Sequence, residues 1–339
     1  MKIIKLCKYI ALGITITLVI LALAACGSDD DGGKQEEMTP VSVQFSWVHT
    51  IEFAGFYKAA DAGHYAEANL DVDLKSGGFD AAGNFIPPVL EVVSGKADFG
   101  VAGADVLLQA RAAGDPVVGI AAIYQRNPVA LISLAEGNIR TPEDLAGKRV
   151  GVDPGSATFI VYQAFKTARG VADVEEIEQF GLVDPLVNGE LDVRTGFVTN
   201  EPVILRQQGY EVNIILPSDY GIDLYSNVIF TTEDTLANKP DLVEDFLRAT
   251  LMGFDDAIDD PKSAAELSVS HNAELNLDNE LASMQASLPL LRPAGRSSGM
   301  MEAQAWEMTH RILLDQGVLA APIDYEAAFD LSVLGKIYD

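Results

Sequence analysis

The sequence predicts an α/β fold built from two similar lobes that face a shared cleft. The chain has 339 residues, which exceeds one ordinary hydrophobic core, so two domains or two lobes are expected. Short apolar runs alternate with helical patterns, which favours mostly parallel sheets with helices on both faces. The segment Gly95–Val101 (GKADFGV) is echoed by Gly189–Val193 (GELDV), which indicates that one α/β unit occurs twice.

Composition excludes several classes of protein. Apolar residues make up 48% and charged residues 22%, which is typical of a globular chain. The 23 Lys and Arg face 50 Asp and Glu, giving a net charge of −27 that repels nucleic acids and anionic lipid headgroups. Only two cysteines occur, Cys7 and Cys26, so a disulfide scaffold and a thiolate zinc site are excluded.

The first 25 residues have the pattern of a secretory signal. Three lysines precede an apolar run from Ile10 to Ala22, which is shorter than the ~20 residues that a membrane span needs. The run ends in Leu-Ala-Ala-Cys at Cys26, which resembles the bacterial lipobox, whose cysteine receives lipid. We therefore expect residues 1–25 to be removed, Cys26 to be lipidated and residues 26–40 to form an acidic tether. The protein would then lie outside the cytoplasm, anchored to the cell membrane.

Most strands and helices can be placed from the hydrophobic pattern. Apolar residues with period two from Val41 to Trp47 indicate the first strand, and a helix with Phe53, Phe56 and Tyr57 follows. The clearest helix covers Asp241–Ile258, between Pro240 and Pro261. Further strands are predicted at Leu70–Leu74, Val117–Ile123, Val129–Leu134, Arg149–Val152, Val212–Leu216 and Val228–Phe230.

The echoed segments predict where a ligand binds. Each glycine follows a helical stretch and precedes a short strand, which a left-handed helix C-cap alone would explain. Because the pattern occurs twice, the loops after the two strands, Ala102–Asp105 and Thr199–Pro202, are expected to face a shared cleft. Ligands of open α/β sheets bind beyond the carboxyl ends of the strands.

Several segments resemble a known family. The segments on which the resemblance rests are Phe45–Trp47 (FSW), Glu52–Ala60 (EFAGFYKAA), Val92–Val101 (VVSGKADFGV), Ala110–Val118 (ARAAGDPVV), Asp144–Val152 (DLAGKRVGV) and Tyr225–Phe230 (YSNVIF). They are similar to the NMT1/THI5-like (SsuA/THI5) solute-binding proteins. The resemblance implies a periplasmic-binding-protein fold of type II, which delivers a small solute to an ABC permease and its ATPase. It also implies lobe 1 at 41–127 plus 229–339 and lobe 2 at 128–228.

Candidate ligand contacts in lobe 1 cluster after the first strand. Trp47 is expected to stack on a flat ring unless it is a core residue, and His49 follows it at the strand end. Glu52, Phe53 and Tyr57 lie at the start of the next helix, where Glu52 also suits the helix N-terminus and Phe53 suits the core.

The crossings and lobe 2 supply the other candidates. Gln125, Asn127, Tyr220 and Tyr225 flank the crossings as hydrogen-bond donors, hinge or wall. Exposed N–H groups and hydroxyls at Gly155, Ser156 and Thr158 would hold an anion or carbonyl, although a plain N-cap is the alternative. Asn200 and Glu201 lie in the second post-strand loop, where the Glu201 carboxylate would pair with an amine of an aminopyrimidine.

No pattern indicates catalysis. The segment Gly155–Thr158 is not a G-x-S-x-G nucleophile elbow, the Walker A and G-x-G-x-x-G motifs are absent, and the four histidines have no metal-ligand spacing. The resembling family includes a pyrimidine synthase that holds pyridoxal phosphate on a lysine, but Ala102 and Val106 occupy its lysine and histidine positions here. We therefore expect a monomeric binding protein without cofactor or metal, and no enzyme. A thiamine pyrimidine precursor is the first candidate solute, riboflavin the second, and sulfonate or nitrate the third.

Overall fold

The computed structural model describes residues 38–179 and 183–339, which belong to a compact unit spanning Glu37–Asp339. Cys26, the signal segment and most of the predicted tether lie outside the described residues. Thr39 and Pro40, which were assigned to the tether, already belong to the first strand. No helix in the described ranges is long and apolar enough to cross a bilayer.

Ten strands and thirteen α-helices make up the described chain. The strands are β1 Thr39–Gln44, β2 Leu70–Lys75, β3 Phe99–Ala102, β4 Val117–Ala122, β5 Val129–Leu134, β6 Arg149–Val152, β7 Glu175–Glu178, β8 Val193–Phe197, β9 Val212–Ile215 and β10 Val228–Thr232. The helices are α1 Ala54–Asp61, α2 His64–Glu67, α3 Pro88–Val93, α4 Ala104–Ala113, α5 Ala157–Arg169, α6 Asp184–Val187, α7 Glu201–Gln207, α8 Glu233–Asn238, α9 Pro240–Asp259, α10 Pro261–His271, α11 Leu277–Leu291, α12 Ala303–Asp315 and α13 Ser332–Tyr338.

The strands form two five-stranded sheets with the same topology. The first has the order β2-β1-β3-β10-β4 and the second the order β7-β6-β8-β5-β9. The echoed segments lead into β3 and β8, which hold the same central place in the two sheets. Gly95 and Gly189 have φ of +73° and +74°, the left-handed conformation that ends a helix before each of these strands. The predicted two-lobed α/β fold is confirmed.

The expectation of mostly parallel sheets needs a correction, because both sheets are mixed. β10 pairs antiparallel with β3 and β4, and β5 pairs antiparallel with β8 and β9. These are the strands that follow the two crossings between the sheets. A strand that arrives from the other sheet runs against its neighbours, so half of the neighbour pairs in each sheet are antiparallel.

The core lies on both faces of the first sheet and continues under the C-terminal helices. β4 is buried along its whole length, which explains its uninterrupted apolar sequence. Helix α9 buries Val243, Phe246 and Phe254 along one face, as its periodicity predicts. Two smaller apolar clusters lie on either side of the second sheet.

Candidate functional site

The carboxyl ends of β1, β3 and β4 and the start of β10 lie at one edge of the first sheet. The register pairs Val228 of β10 with both Ala102 and Ala122, so the residues just beyond these positions converge. The Thr50–Phe53 segment after β1 and helix α11 lie over the same edge: the Ile51 N–H donates to the Glu280 carboxylate at 2.8 Å. This edge is where the fold class binds its ligands.

Two carboxylates, Glu52 and Glu280, form a polar cluster with Thr50 and Asn227 at this edge. Glu52 accepts hydrogen bonds from Thr50 Oγ1 at 3.0 Å and from Asn227 Nδ2 at 2.7 Å. Burial raises the pKa of the Glu52 carboxyl and, together with the Glu52 charge, that of Glu280. The cluster offers hydrogen-bond acceptors to a ligand that carries N–H groups.

His49 and Tyr57 belong to a ring stack behind this cluster. His49 Nδ1 lies 3.1 Å from the Tyr57 hydroxyl, and the His271 ring stacks on Tyr57 at 4.3 Å between centroids. Burial, and secondarily the His271 charge, lowers the pKa of His49, which favours a neutral imidazole. The Tyr57 hydroxyl donates to Thr50 O at 3.2 Å, so this stack fixes the backbone next to Glu52.

Phe53 is a core residue. It is 0% exposed and stacks on Phe45 with 4.1 Å between ring centroids. Its side chain therefore has no accessible surface that could contact a ligand. The structure makes Phe53 a core residue and not a ligand contact.

Trp47 is exposed, in contrast to the core position that its alternating pattern allowed. β1 ends at Gln44, so Trp47 lies beyond the strand, with 44% of its surface accessible. Its ring contacts Phe79 edge-on at 5.8 Å between centroids, and Phe79 contacts Phe85 at 5.8 Å. Sequence reasoning missed both phenylalanines; the signal for them was a Gly77-Gly78 pair directly after a strand.

The two residues at the first crossing have internal partners. Gln125 Nε2 donates to Leu291 O at 3.0 Å and to Ser297 O at 2.6 Å. Asn127 Nδ2 donates to Leu224 O at 2.6 Å on the returning crossing, and its own Oδ1 accepts from Val129 N. Asn127 thus ties the two crossings together.

Tyr220 and Tyr225 are packing residues at the return. Tyr220 lies edge-on to Phe165 at 5.4 Å and beneath the Arg169 guanidinium at 5.3 Å. Tyr225 is buried, and its hydroxyl accepts from the Glu302 N–H at 2.8 Å at the start of α12. The Tyr225 hydroxyl is therefore occupied within the protein, whereas Tyr220 is half-buried and packs through its ring.

In the second sheet, Ser156 is the N-cap of α5. Its Oγ accepts from Phe159 N at 3.2 Å and lies 2.7 Å from the buried Thr158 hydroxyl. Gly155 has a φ of +88°, which explains the glycine at this turn. The hydroxyls are used in capping, while the exposed Gly155 backbone remains open to a ligand.

Asn200 and Glu201 differ in their exposure and in their hydrogen bonds. Asn200 is exposed and makes no cap hydrogen bond. Glu201 is buried, and its oxygens accept from Arg194 Nη2 at 3.0 Å and from Phe197 N at 2.7 Å. A ligand amine would have to displace a buried guanidinium, so the expected pairing of Glu201 with a ligand gives way to a structural role.

Asp105 is a buried carboxyl that the sequence did not single out as a contact. It lies at the start of α4, in the predicted post-strand loop Ala102–Asp105, and burial raises its pKa.

No set of three or more metal-binding side chains occurs within residues 38–179 and 183–339.

The comparisons identify the family. The NMT1/THI5-like family matches residues 50–264. The chain belongs to this family. It is 31% identical to the riboflavin-binding protein RibY of Chloroflexus aurantiacus, over 95% of this chain and 96% of that protein. It is 25% identical to the formylaminopyrimidine-binding protein of Halalkalibacterium halodurans, over 93% and 97%.

This NMT1/THI5-like chain is also similar to a synthase and to a binding protein of known structure. The 4-amino-5-hydroxymethyl-2-methylpyrimidine phosphate synthase of Legionella pneumophila is 28% identical over 53% of this chain and 58% of its own length. The periplasmic aliphatic sulphonate-binding protein SsuA of Escherichia coli superposes with a TM-score of 0.68 at 11% identity, covering 86% of this chain and 97% of SsuA. At that identity SsuA supports the fold alone.

Proposed function

We propose that this chain is the solute-binding component of an ABC importer and holds a flat nitrogen heterocycle between its lobes without altering it. The observation that carries the proposal is the exposed Trp47 ring, five residues before the Glu52 carboxylate at one sheet edge. An aromatic surface beside hydrogen-bond acceptors suits a planar ring with N–H groups. Solute bound at this edge would stabilise closure of the lobes about the crossings.

Riboflavin is the solute we place first, ahead of the pyrimidine precursor that the sequence favoured. The relative named as riboflavin-binding is 31% identical, and the one named as formylaminopyrimidine-binding is 25% identical. Both solutes carry N–H groups that could donate hydrogen bonds to the carboxylates of Glu52 and Glu280. A sulfonate or nitrate ranks third, because these two carboxylates would repel an anion.

For the enzyme alternative, this chain has no lysine at the position where the synthase binds pyridoxal phosphate. Ala102, at the position of the lysine that the synthase uses, is buried at the end of β3, and Val106 lies on α4 at the histidine position. Neither side chain can form an imine with an aldehyde. Titration of the purified chain with pyridoxal phosphate should leave its absorbance spectrum unshifted; a Schiff-base band would favour the synthase.

We also propose that the mature protein is a monomer, tethered through lipid on Cys26 to the outer side of the cell membrane, where it meets a permease and its ATPase. The Leu-Ala-Ala-Cys sequence supports this anchor. Cys26→Ser should move the protein from the membrane fraction to the soluble extracytoplasmic fraction. Unchanged membrane association of the variant would contradict the lipid anchor.

A thermal-shift screen of the full chain tests the solute class. Riboflavin, a 4-amino-2-methylpyrimidine, taurine and nitrate would each be added at graded concentrations. A ligand at 100 times its dissociation constant raises the free energy of unfolding by about 2.7 kcal/mol, so a bound heterocycle should raise Tm clearly. A shift with taurine or nitrate alone would contradict the proposal.

A further inference from the structure

Residues 76–87, which follow β2, form a short projection that we call the aromatic flap. Phe79 and Phe85 face each other as an antiparallel bridge. Two backbone hydrogen bonds close the same ladder, from Ile86 N to Gly78 O and from Asp80 N to Asn84 O, both at 2.8 Å. The flap therefore has a defined backbone, like a small hairpin.

The tip of the flap is held by Asp80. Its Oδ1 accepts from Ala82 N and from Asn84 N, each at 2.8 Å. These N–H donors hold the pKa of the Asp80 carboxyl below its usual range, so the carboxylate stays ionised and bonded to its own turn. The turn thus fixes the positions of the two phenylalanines on either side of it.

The base of the flap is pinned against the segment that bears Trp47. Gly77 N donates to Trp47 O at 2.9 Å. A Cβ atom at Gly77 would lie 2.2 Å from Phe45 O, so only glycine permits this approach. Trp47 and the flap therefore form one continuous surface at the end of β1 and β2.

This surface exposes three large rings. Phe79 is 60% exposed, Phe85 48% and Trp47 44%, which leaves on the order of 300 Å² of aromatic side chain accessible to water. In the described ranges the only other large aromatic residue that is more than a third exposed is Tyr338, whose hydroxyl donates a hydrogen bond to Ser298 O. The largest apolar patch of a typical monomeric protein is of this order and is often functional.

We propose that Phe79 and Phe85 are specificity-determining contacts that select a fused-ring heterocycle over a single ring. This inference rests on the proposed function and narrows its substrate class. A single pyrimidine ring can stack on Trp47 but is too small to reach across both phenylalanines. The ring centroids follow one another at steps of 5.8 Å, so a fused system of two or three rings that stacks on one of them is long enough to contact the edges of the others, which stand at 80° and 67° to their neighbours.

The ring surfaces of the flap support this occupant. Its one ionised group, Asp80, bonds to Asn84 and to the backbone of its own turn. The patch is continuous with Trp47, whose carbonyl oxygen accepts a hydrogen bond from Gly77 N. An apolar ring system matches this surface.

The test titrates riboflavin, followed by its own fluorescence, and a 4-amino-2-methylpyrimidine, followed by calorimetry, into the full chain. The variants are Phe79→Ala, Phe85→Ala and the double variant. Leu90→Ala, an exposed apolar residue on the helix after the flap, is the matched control. Because both rings are exposed, these variants should fold with nearly unchanged Tm.

We expect the double variant to weaken riboflavin binding about fivefold or more, since each ring contact contributes about 0.5–1.5 kcal/mol. Affinity for the pyrimidine should change less than about twofold, and Leu90→Ala should affect neither ligand. Equal losses for both ligands, or an unchanged riboflavin affinity, would overturn the inference. A wild-type chain that binds the pyrimidine but not riboflavin would overturn it while leaving the importer function standing, and one that binds neither would contradict the proposed function itself.

Discussion

At the scale of single residues, the site combines an exposed ring with carboxylates that are costly to ionise. Trp47 lies in solvent, whereas Glu52 and Glu280 are partly or largely buried and have raised pKa values. Under the proposed function, a ligand would cover the ring and share its N–H groups with the carboxylates.

Trp47→Ala separates binding from stability. Loss of ring stacking should weaken an aromatic solute about 2- to 10-fold. The free energy of unfolding should change by less than about 0.5 kcal/mol, because the ring is exposed.

The matched control is Trp306→Ala. Trp306 is fully buried and stacks on Phe329, so its loss should cost about 3–5 kcal/mol. Chemical denaturation and solute titration of both variants check this prediction. A Trp47→Ala variant that loses as much stability as Trp306→Ala would make Trp47 a core residue.

Glu280→Gln tests the cost of the buried carboxyl. The pKa of Glu280 is raised above its ordinary value of 4.5, so the folded state binds the proton more tightly than the unfolded state. The wild type therefore loses stability as pH rises through the window above 4.5, and the variant should escape that loss.

Denaturant unfolding at pH 4 and at pH 7 measures the effect. The variant should gain stability relative to wild type at pH 7 more than at pH 4, since its amide oxygen can still accept from Ile51 N. A difference between variant and wild type that does not depend on pH would contradict the assignment.

Glu201→Ala should act on stability. The substitution leaves the buried Arg194 guanidinium without its carboxylate, which typically costs about 3–5 kcal/mol. Urea unfolding of the variant measures this loss. A variant of unchanged stability with altered solute preference would restore Glu201 to the ligand contacts.

At the scale of elements, hydrogen bonds tie the two crossings between the sheets together. Asn127 bonds Leu224 O on the returning chain, and its backbone N–H donates to the Asp223 carboxylate at 2.6 Å. Asn127→Ala would leave buried groups unpaired, at a cost of about 1–3 kcal/mol. Asn200→Ala, at an exposed asparagine without a cap bond, should cost less than about 0.5 kcal/mol. Equal unfolding free energies for the two variants would contradict a stabilising role of the Asn127 hydrogen bonds.

Buried elements could be predicted from the sequence, and polar or irregular ones could not. Val129–Leu134 and Arg149–Val152 match β5 and β6 residue for residue, because their apolar runs are bounded by turns. The edge strand β7 was missed, since Glu175–Glu178 is mostly charged and exposed. Helix α11 was missed because its apolar pattern is weak and Pro289 lies inside it.

The sequence indicated a candidate site, and most of its internal contacts emerged only in the structure. Trp47 and Glu52 were singled out because they follow the first strand. The bond from Ile51 N to Glu280 spans 229 residues, and no local pattern indicates it. Glu201 was assigned to the ligand because sequence alone does not show that Arg194 lies beneath it.

At the scale of the whole molecule, two sheets of identical strand order are joined by clamped crossings, with the aromatic surface at one strand edge. This arrangement suits a protein that captures a solute and releases it. The strongly acidic surface, with a net charge of −27, keeps the protein in solution and away from anionic partners.

The most direct measurement is equilibrium dialysis of the full chain against riboflavin, followed by extraction and chromatography of the retained solute. The account predicts about one equivalent of riboflavin per chain, recovered chemically unchanged. Retention of no heterocycle by the folded protein, or recovery of a converted product, would contradict it.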